Sequence, residues 1–245
     1  MDDPNKIELL KKILDESFCT VILCGSGIME EHGYKGIKNL EKAYEIEEKY
    51  GESPEELFSS VYYNTRPLEF FDFYRNEILQ GDREPSDTFK VAARMEEQGK
   101  LHCIITANMY EYPQRAGCKN VINLHGSVYN NCCSHCGKKF PLEYVKMSKK
   151  IPVCDECGHV IRPQVSLFGE MMDSQIMTKA TWEIENADVL LLVGTSLESE
   201  VFSKYINYFE GRKLVVIHRN VHHTDDQADL VIWDEPKTVF TKLGY

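Results

Sequence analysis

Two cysteine pairs constrain this chain more than any other feature: Cys133-Ser-His-Cys136 and Cys154-Asp-Glu-Cys157. Seventeen residues, Gly137 to Val153, separate the pairs. Paired C-x2-C knuckles at this spacing fit a four-thiolate zinc site, because each knuckle presents two sulfurs and four sulfurs complete a tetrahedron around Zn2+. Such a site is closed to water, so the expected metal is structural, one ion per chain. Two disulfides or inert buried thiols are the alternative. Cys132 adjoins the first knuckle, but pairing it with Cys136 would break the two-residue spacing, so it is not expected to be a ligand. His125-Gly126 just before the module and Arg162-Pro163 just after it put other chemistry at its borders.

Six apolar runs read as buried strands: Thr20-Val-Ile-Leu-Cys24, Cys103-Ile-Ile-Thr106, Val121-Ile-Asn-Leu124, Val189-Leu-Leu-Leu-Val193, Leu214-Val-Val-Ile217 and Leu230-Val-Ile-Trp233. Short runs without polar alternation belong to strands covered on both faces, which implies a parallel sheet. Amphipathic patterns over 5–16, 86–98, 174–186 and 200–209 separate many of them. The alternation predicts an α/β fold with a Rossmann-like, doubly wound parallel sheet. Two stretches interrupt it. Residues 30–80 contain no strand and read as helices with loops, for example Leu40 to Tyr50. Residues 127–165 form the cysteine module. Both read as insertions into one domain spanning 1–245 rather than as separate domains.

Composition excludes several classes. A net charge of -11 argues against a nucleic-acid-binding surface. No run reaches the roughly 18 apolar residues of a membrane span. The N-terminal MDDPNKIELLKKILDES alternates charged and apolar residues and lacks the apolar core of a signal peptide. Nine cysteines, an odd number, suit a reducing cytoplasm better than secretion.

Candidate site residues cluster at predicted strand ends. The first strand runs into Cys24-Gly25-Ser26-Gly27-Ile28, and glycines there let a backbone approach a pyrophosphate closely. A plain tight turn is the alternative, since the third glycine of the usual dinucleotide fingerprint is missing. Gly194-Thr195-Ser196 follows the 189–193 strand. Two small-residue loops at carboxyl ends of strands fit a ligand at a topological switch point. Asn220 could hydrogen-bond a ribose or simply form a turn. Asn108 lies two residues beyond the 103–106 strand, where a neutral amide could orient a sugar or water. His125 also follows a strand end, and histidine is the usual general base near neutral pH. A structural histidine is the alternative. His32, His222 and His223 read as surface residues.

Taken in order, these segments resemble the sirtuin family over most of the chain. Cys24-Gly25-Ser26-Gly27-Ile28 stands where the family has Gly-Ala-Gly-Ile-Ser. Thr106-Ala107-Asn108-Met109-Tyr110 stands at its Thr-Gln-Asn-Ile-Asp segment, with Arg115-Ala116-Gly117 following in register. Leu124-His125-Gly126-Ser127 matches the catalytic histidine motif. Ile161-Arg162-Pro163-Gln164-Val165-Ser166-Leu167-Phe168-Gly169-Glu170 matches the acyl-lysine segment. Gly194-Thr195-Ser196-Leu197 matches a ribose-binding loop, and Asn220 a late adenosine-site asparagine.

The resemblance implies an NAD-dependent protein-lysine deacylase acting on an acyl-lysine protein or peptide. The acyl oxygen attacks C1' of the nicotinamide ribose as nicotinamide leaves, and the acyl group ends on ADP-ribose. Asn108 would position that ribose, and His125 would act as general base on a ribose hydroxyl. Gly25, Ser26, Gly27, Asn108, Gly194, Thr195, Ser196 and Asn220 would bind NAD. Leu167 and Phe168 would line the acyl tunnel, and Val165 would also bind the substrate. Gly169 and Glu170 would hold the peptide as an added strand. Zinc would stay outside the chemistry.

The chain departs from the family at the nicotinamide end. The family's Gly-Ile-Pro-Asp-Phe-Arg run is replaced by Met29-Glu-Glu-His-Gly-Tyr-Lys-Gly36, the glutamine beside Asn108 is Ala107, and an aspartate is Tyr110. Tyr34 to Gly51, with Tyr62-Tyr63 beyond, resembles the macrodomain-linked sirtuin branch, which is associated with protein ADP-ribosylation. That branch lacks the catalytic histidine that this chain keeps as His125. A protein mono-ADP-ribosyltransferase and a catalytically weak NAD- or ADP-ribose-binding module therefore stand as alternatives. Phe71 and Tyr74 occupy the positions of the Tyr-x-x-Arg pair of sirtuins that remove acidic acyl groups, with Arg75 one residue late. On a helix that offset turns it by about 100 degrees, so no acidic-acyl preference follows.

Overall fold

The computed structural model describes residues 4–245; the first three residues of the charged N-terminal run lie outside them. Among the described residues nine strands follow in chain order: β1 (Thr20–Cys24), β2 (Cys103–Thr106), β3 (Val121–Asn123), β4 (Gly126–Cys133), β5 (Lys139–Phe140), β6 (Ile161–Val165), β7 (Val189–Val193), β8 (Lys213–His218) and β9 (Leu230–Trp233). They divide between two compact units.

The first unit comprises the described part of Met1–His32, with Glu84–Leu124 and Asp173–Tyr245. Its sheet has six strands in the order β3-β2-β1-β7-β8-β9, every neighbouring pair parallel. All six expected strands are present. Every residue of β1, β2 and β7 is buried, which explains the continuous apolar runs. From β1 the chain winds outward through β2 and β3. It then returns and winds the other way through β7, β8 and β9. The reversal puts the loops after β1 and β7 side by side at the carboxyl edge, the ligand position in doubly wound sheets.

Helices Pro4–Asp15, Asp87–Glu97, Ser174–Glu185 and Pro236–Leu243 belong to the same unit. The pattern over 200–209 yields only Ser203–Ile206 as α-helix. Beyond it the bonds tighten to three-residue spacing, from Tyr208 N to Tyr205 O and from Phe209 N to Ile206 O, each 3.0 Å. The last helix, not expected from periodicity, carries Pro236 in its first turn and Gly244 at its C-cap with φ +71°.

The second unit comprises Gly33–Arg83 and His125–Met172. Its first segment holds helix Leu40–Tyr50, capped by the Asn39 side chain and by Gly51 at φ +77°, and three shorter helices. Phe70, Phe71, Phe73 and Tyr74 are wholly buried, so the aromatics in the acidic-acyl positions are core. Arg75 donates to the Lys150 carbonyl at 2.8 Å. Buried Glu77 is held by Lys49 at 2.7 Å, Lys42 at 2.8 Å and the Tyr50 hydroxyl at 3.1 Å. Burial would raise its pKa, but the two lysines outweigh that and hold the carboxyl below its ordinary value. The second segment builds the antiparallel sheet β5-β4-β6, with a register shift between Gly126 and Asn131. Among the described residues no helix is long and apolar enough to cross a membrane.

Candidate active site

The eight residues expected to bind a dinucleotide all lie in the first unit, in segments beyond the carboxyl ends of β1, β2, β7 and β8. The two glycine loops interlock. Gly25 N donates to Val193 O and Gly27 N to Gly194 O, both at 3.0 Å. A Cβ on Gly27 would stand 2.7 Å from Gly194 O, and one on Gly194, whose φ is +62°, would stand 2.6 Å from Ile28 N. Only glycine allows this approach, which leaves a bare backbone cradle of the kind a pyrophosphate occupies. Gly27→Ala should wedge the loops apart, costing about 1–3 kcal/mol. A melting temperature lowered by several degrees is the expected result, and an unchanged one would show that the loops yield freely.

Asn108 is buried, and its amide is used locally. Its Nδ2 donates to Thr106 Oγ1 at 2.6 Å, and Tyr110 N donates to its Oδ1 at 3.4 Å. Tyr110 is buried as well, its ring 5.6 Å from that of Tyr112. Thr195 and Ser196 are half-buried, and Asn220 is exposed just past β8.

His32 corrects the surface reading. Its ring is half-buried and stacks on Tyr112 at 3.9 Å and 5°. Ser86 N donates to its Nε2 at 3.1 Å, so Nδ1 carries the proton and donates to Ile28 O at 3.0 Å. Burial lowers its pKa, and the ring anchors the turn that follows the glycine loop. His222 is also half-buried rather than a plain surface residue. These partners lie tens of residues away in sequence or in aperiodic turns, so no local pattern announces them.

The second unit holds the other expected residues. His125 is half-buried, its carbonyl accepts from Ser166 N at 3.0 Å, and its ring makes no hydrogen bond among the described residues. Gly126 follows with φ +74°, and a Cβ there would collide with Gln164 O. The glycine thus fixes the backbone that presents the imidazole. Burial, and secondarily the charge of Lys38, lower the His125 pKa, so the ring is neutral at physiological pH.

Val165 and Leu167 are buried, and Phe168 is half-buried with Lys38 Nζ 5.6 Å from its ring centroid. Phe168 pairs with a neighbouring backbone: its N donates to Phe58 O, and Ser60 N donates to its O, both at 3.0 Å. Gly169 has φ +85°. Glu170 turns toward its own chain. Arg162 Nη2 lies 2.8 Å from both carboxylate oxygens, and Leu167 N donates to Oε2 at 2.8 Å. Its carboxylate therefore clamps the turn that shapes the segment.

The sulfurs of Cys133, Cys136, Cys154 and Cys157 lie within 4.8 Å of one another. Cys133 Sγ is 3.3 Å from Cys157 Sγ, and Cys136 Sγ is 3.6 Å from Cys154 Sγ. A disulfide is about 2.05 Å long, whereas thiolates at about 2.3 Å from one zinc ion stand roughly 3.8 Å apart, so the set suits a metal. Both knuckles close alike: Gly137 N donates to Cys133 O at 3.0 Å and Gly158 N to Cys154 O at 2.9 Å, each glycine at φ +73°. The amides of Cys136 and His135 point at Cys133 Sγ and favour its thiolate. Cys132 lies outside the cluster, on the opposite face of β4 from its neighbour.

Residues 25–201 match the family described as Sir2 family. A protein of Clostridium acetobutylicum named NAD-dependent protein deacetylase is 38% identical over 231 residues, 94% of each chain. A solved structure described as "The Structural basis of Sirtuin Substrate Affinity" superposes with a TM-score of 0.86 at 29% identity, covering 100% of this chain and 98% of the other. Another, "Sir2 bound to acetylated peptide", does so with a TM-score of 0.81 at 27% identity, covering 97% of each.

Proposed function

Since this chain belongs to the Sir2 family, we propose that it is an NAD-dependent protein-lysine deacylase, a deacetylase first of all. It moves the acyl group of a modified lysine onto ADP-ribose with release of nicotinamide. The observation that carries this reading is His125, a half-buried imidazole kept neutral by its surroundings. It stands in a chain that aligns over nearly all its length with a relative named a deacetylase.

NAD+ supplies a ribose carbon that gives up nicotinamide and takes the acyl oxygen. Gly25, Ser26, Gly27 and Gly194 accept the pyrophosphate, Thr195, Ser196 and Asn220 hold the adenosine side, and Asn108 orients the reacting ribose. His125 takes a ribose hydroxyl proton on an unprotonated ring nitrogen. Val165, Leu167 and Phe168 line the acyl chain's path. Gly169 and the Glu170–Arg162 clamp shape the edge that receives the peptide as a strand. Cys133, Cys136, Cys154 and Cys157 hold one structural Zn2+. Residues 1–245 act as one catalytic domain whose small lobe is built from 30–80 and 127–165, working in the cytoplasm.

Tyr110 favours a second reading, because it replaces an acidic residue and is buried in the segment that bears Asn108. Protein mono-ADP-ribosylation shares the cofactor and leaves ADP-ribose on the target. Incubation with labelled NAD+ and acylated peptides, followed by mass spectrometry, separates the two. O-acyl-ADP-ribose is the expected product. A covalent ADP-ribose adduct supports the second reading, and NAD+ left intact removes both. With few fixed partners for nicotinamide, ADP-ribose should bind within about tenfold of NAD+, or 1.4 kcal/mol. Calorimetry checks this; NAD+ binding a hundredfold tighter would reveal a nicotinamide pocket built from other residues.

A further inference from the structure

Away from the cysteine module, the loops after β7 and β8 bring together Glu198, His222 and His223. One ligand atom from each lies within 4.8 Å of the others. His223 Nε2 is 3.1 Å from Glu198 Oε2. A nitrogen and a carboxylate oxygen bound to one zinc ion, each at about 2.0–2.2 Å, are separated by a similar distance, so an ion enters between them with little movement. The two imidazoles lie 4.4 Å apart at 30°.

His222 is held by a built shell. Its backbone N donates to Asp225 Oδ2 at 3.0 Å, and that buried carboxylate also accepts from Trp233 Nε1 at 2.7 Å. Its ring Nδ1 accepts from Thr224 N at 3.3 Å and lies 2.8 Å from Oγ1 of the same buried residue, so both contacts fix the ring. In the metal-free ring Nε2 therefore carries the proton. A metal on Nε2 displaces it, and Nδ1, then protonated, donates to the Thr224 hydroxyl in place of accepting from the Thr224 amide; such a hydroxyl is the outer partner that metal-bound imidazoles use. An ordinary surface ion pair between His223 and Glu198 would be worth little and would need neither His222 nor its shell. Glu198 and His223 are exposed, which leaves an entry path from solvent.

We propose that Glu198, His222 and His223 form a second metal site, for a zinc-like divalent transition ion. Two imidazoles and one carboxylate favour such an ion over Mg2+, which takes oxygen ligands. Bound there, it would tie the loop carrying Ser196 to the loop carrying Asn220. The site stands independently of the deacylase reading.

The test is calorimetric titration of the protein as purified with ZnCl2 in a non-chelating buffer, with MgCl2 in parallel. Wild type should take one further Zn2+, melt at higher temperature with it, and take no Mg2+. His222→Ala/His223→Ala should lose the added ion, and Thr224→Val should weaken it about tenfold. Glu198→Gln, a surface change, should also weaken it and stands in if the double variant does not fold. His135→Ala/His159→Ala, at the stacked pair beside the cysteine module, should leave it intact. The proposal is overturned by no further Zn2+ in wild type, by equal Mg2+ uptake, by uptake surviving in the His222/His223 variant, by wild-type affinity in Glu198→Gln, or by loss that follows the His135/His159 pair.

Discussion

Cys154→Ser is expected to drop the zinc content from one ion per chain to near zero and to loosen the segment from Cys133 to His159. Both knuckles are tight turns that gather four sulfurs within 4.8 Å of one another. Without a cation, four thiols there would be poorly partnered, and as thiolates they would repel. Between the knuckles only β5 and the six-residue helix Leu142–Met147 supply regular structure, with Phe140, Leu142 and Val145 as buried apolar side chains. So small a core does not order a segment alone, and metal binding becomes folding free energy. Metal analysis reads the stoichiometry, and limited proteolysis between 134 and 158 reads the loosening. Cys132→Ser should keep the ion. A Cys154→Ser protein with a full equivalent of zinc, or a Cys132→Ser protein without it, would falsify the ligand set.

Glycine and cysteine made those parts of the molecule legible in advance, because each marks a geometry that no other residue supplies. Gly27 and Gly194 stand where a Cβ would meet backbone, and a C-x2-C pair presents two sulfurs from one turn. The six core strands were legible for a related reason: burial on both faces removes polar residues from the run. Elsewhere, the pattern over 200–209 suggests a long helix, but aromatic Tyr208 and Phe209 end it in tight turns near Gly211. His32 gives no signal, because what fixes it is Tyr112 and the Ser86 amide, dozens of residues away. The Glu170–Arg162 clamp spans only eight residues but has no period to betray it. Acidic and basic residues are common in any sequence, and only folding selects which of them meet.

His125→Ala should retain NAD+ binding and lose deacylation by about a hundredfold or more, the usual cost of removing a general base. The imidazole belongs to a different unit from the eight residues assigned to the nucleotide, so those contacts survive its loss. Proton transfer does not. The pH profile should carry the same signature. Burial first, and Lys38 second, hold the His125 pKa below the ordinary value of about 6.5. The base form therefore predominates at pH 7, and the rate should be flat through neutrality and fall as pH drops below that value. Lys38→Met removes the smaller cause and should move the acid limb to higher pH. Stability shifts in the same sense, since the unfolded chain binds this proton more readily than the folded one, and stability falls with pH below about 6.5. His125→Ala removes that contribution, so its melting temperature should depend less on pH between 5 and 7, which separates lost chemistry from lost fold. Undiminished deacylation in the variant would take His125 out of the mechanism. Lost deacylation with surviving ADP-ribosylation of a protein acceptor would move the chain to the transferase reading, because that reaction needs nicotinamide to leave but no base on the acylated ribose.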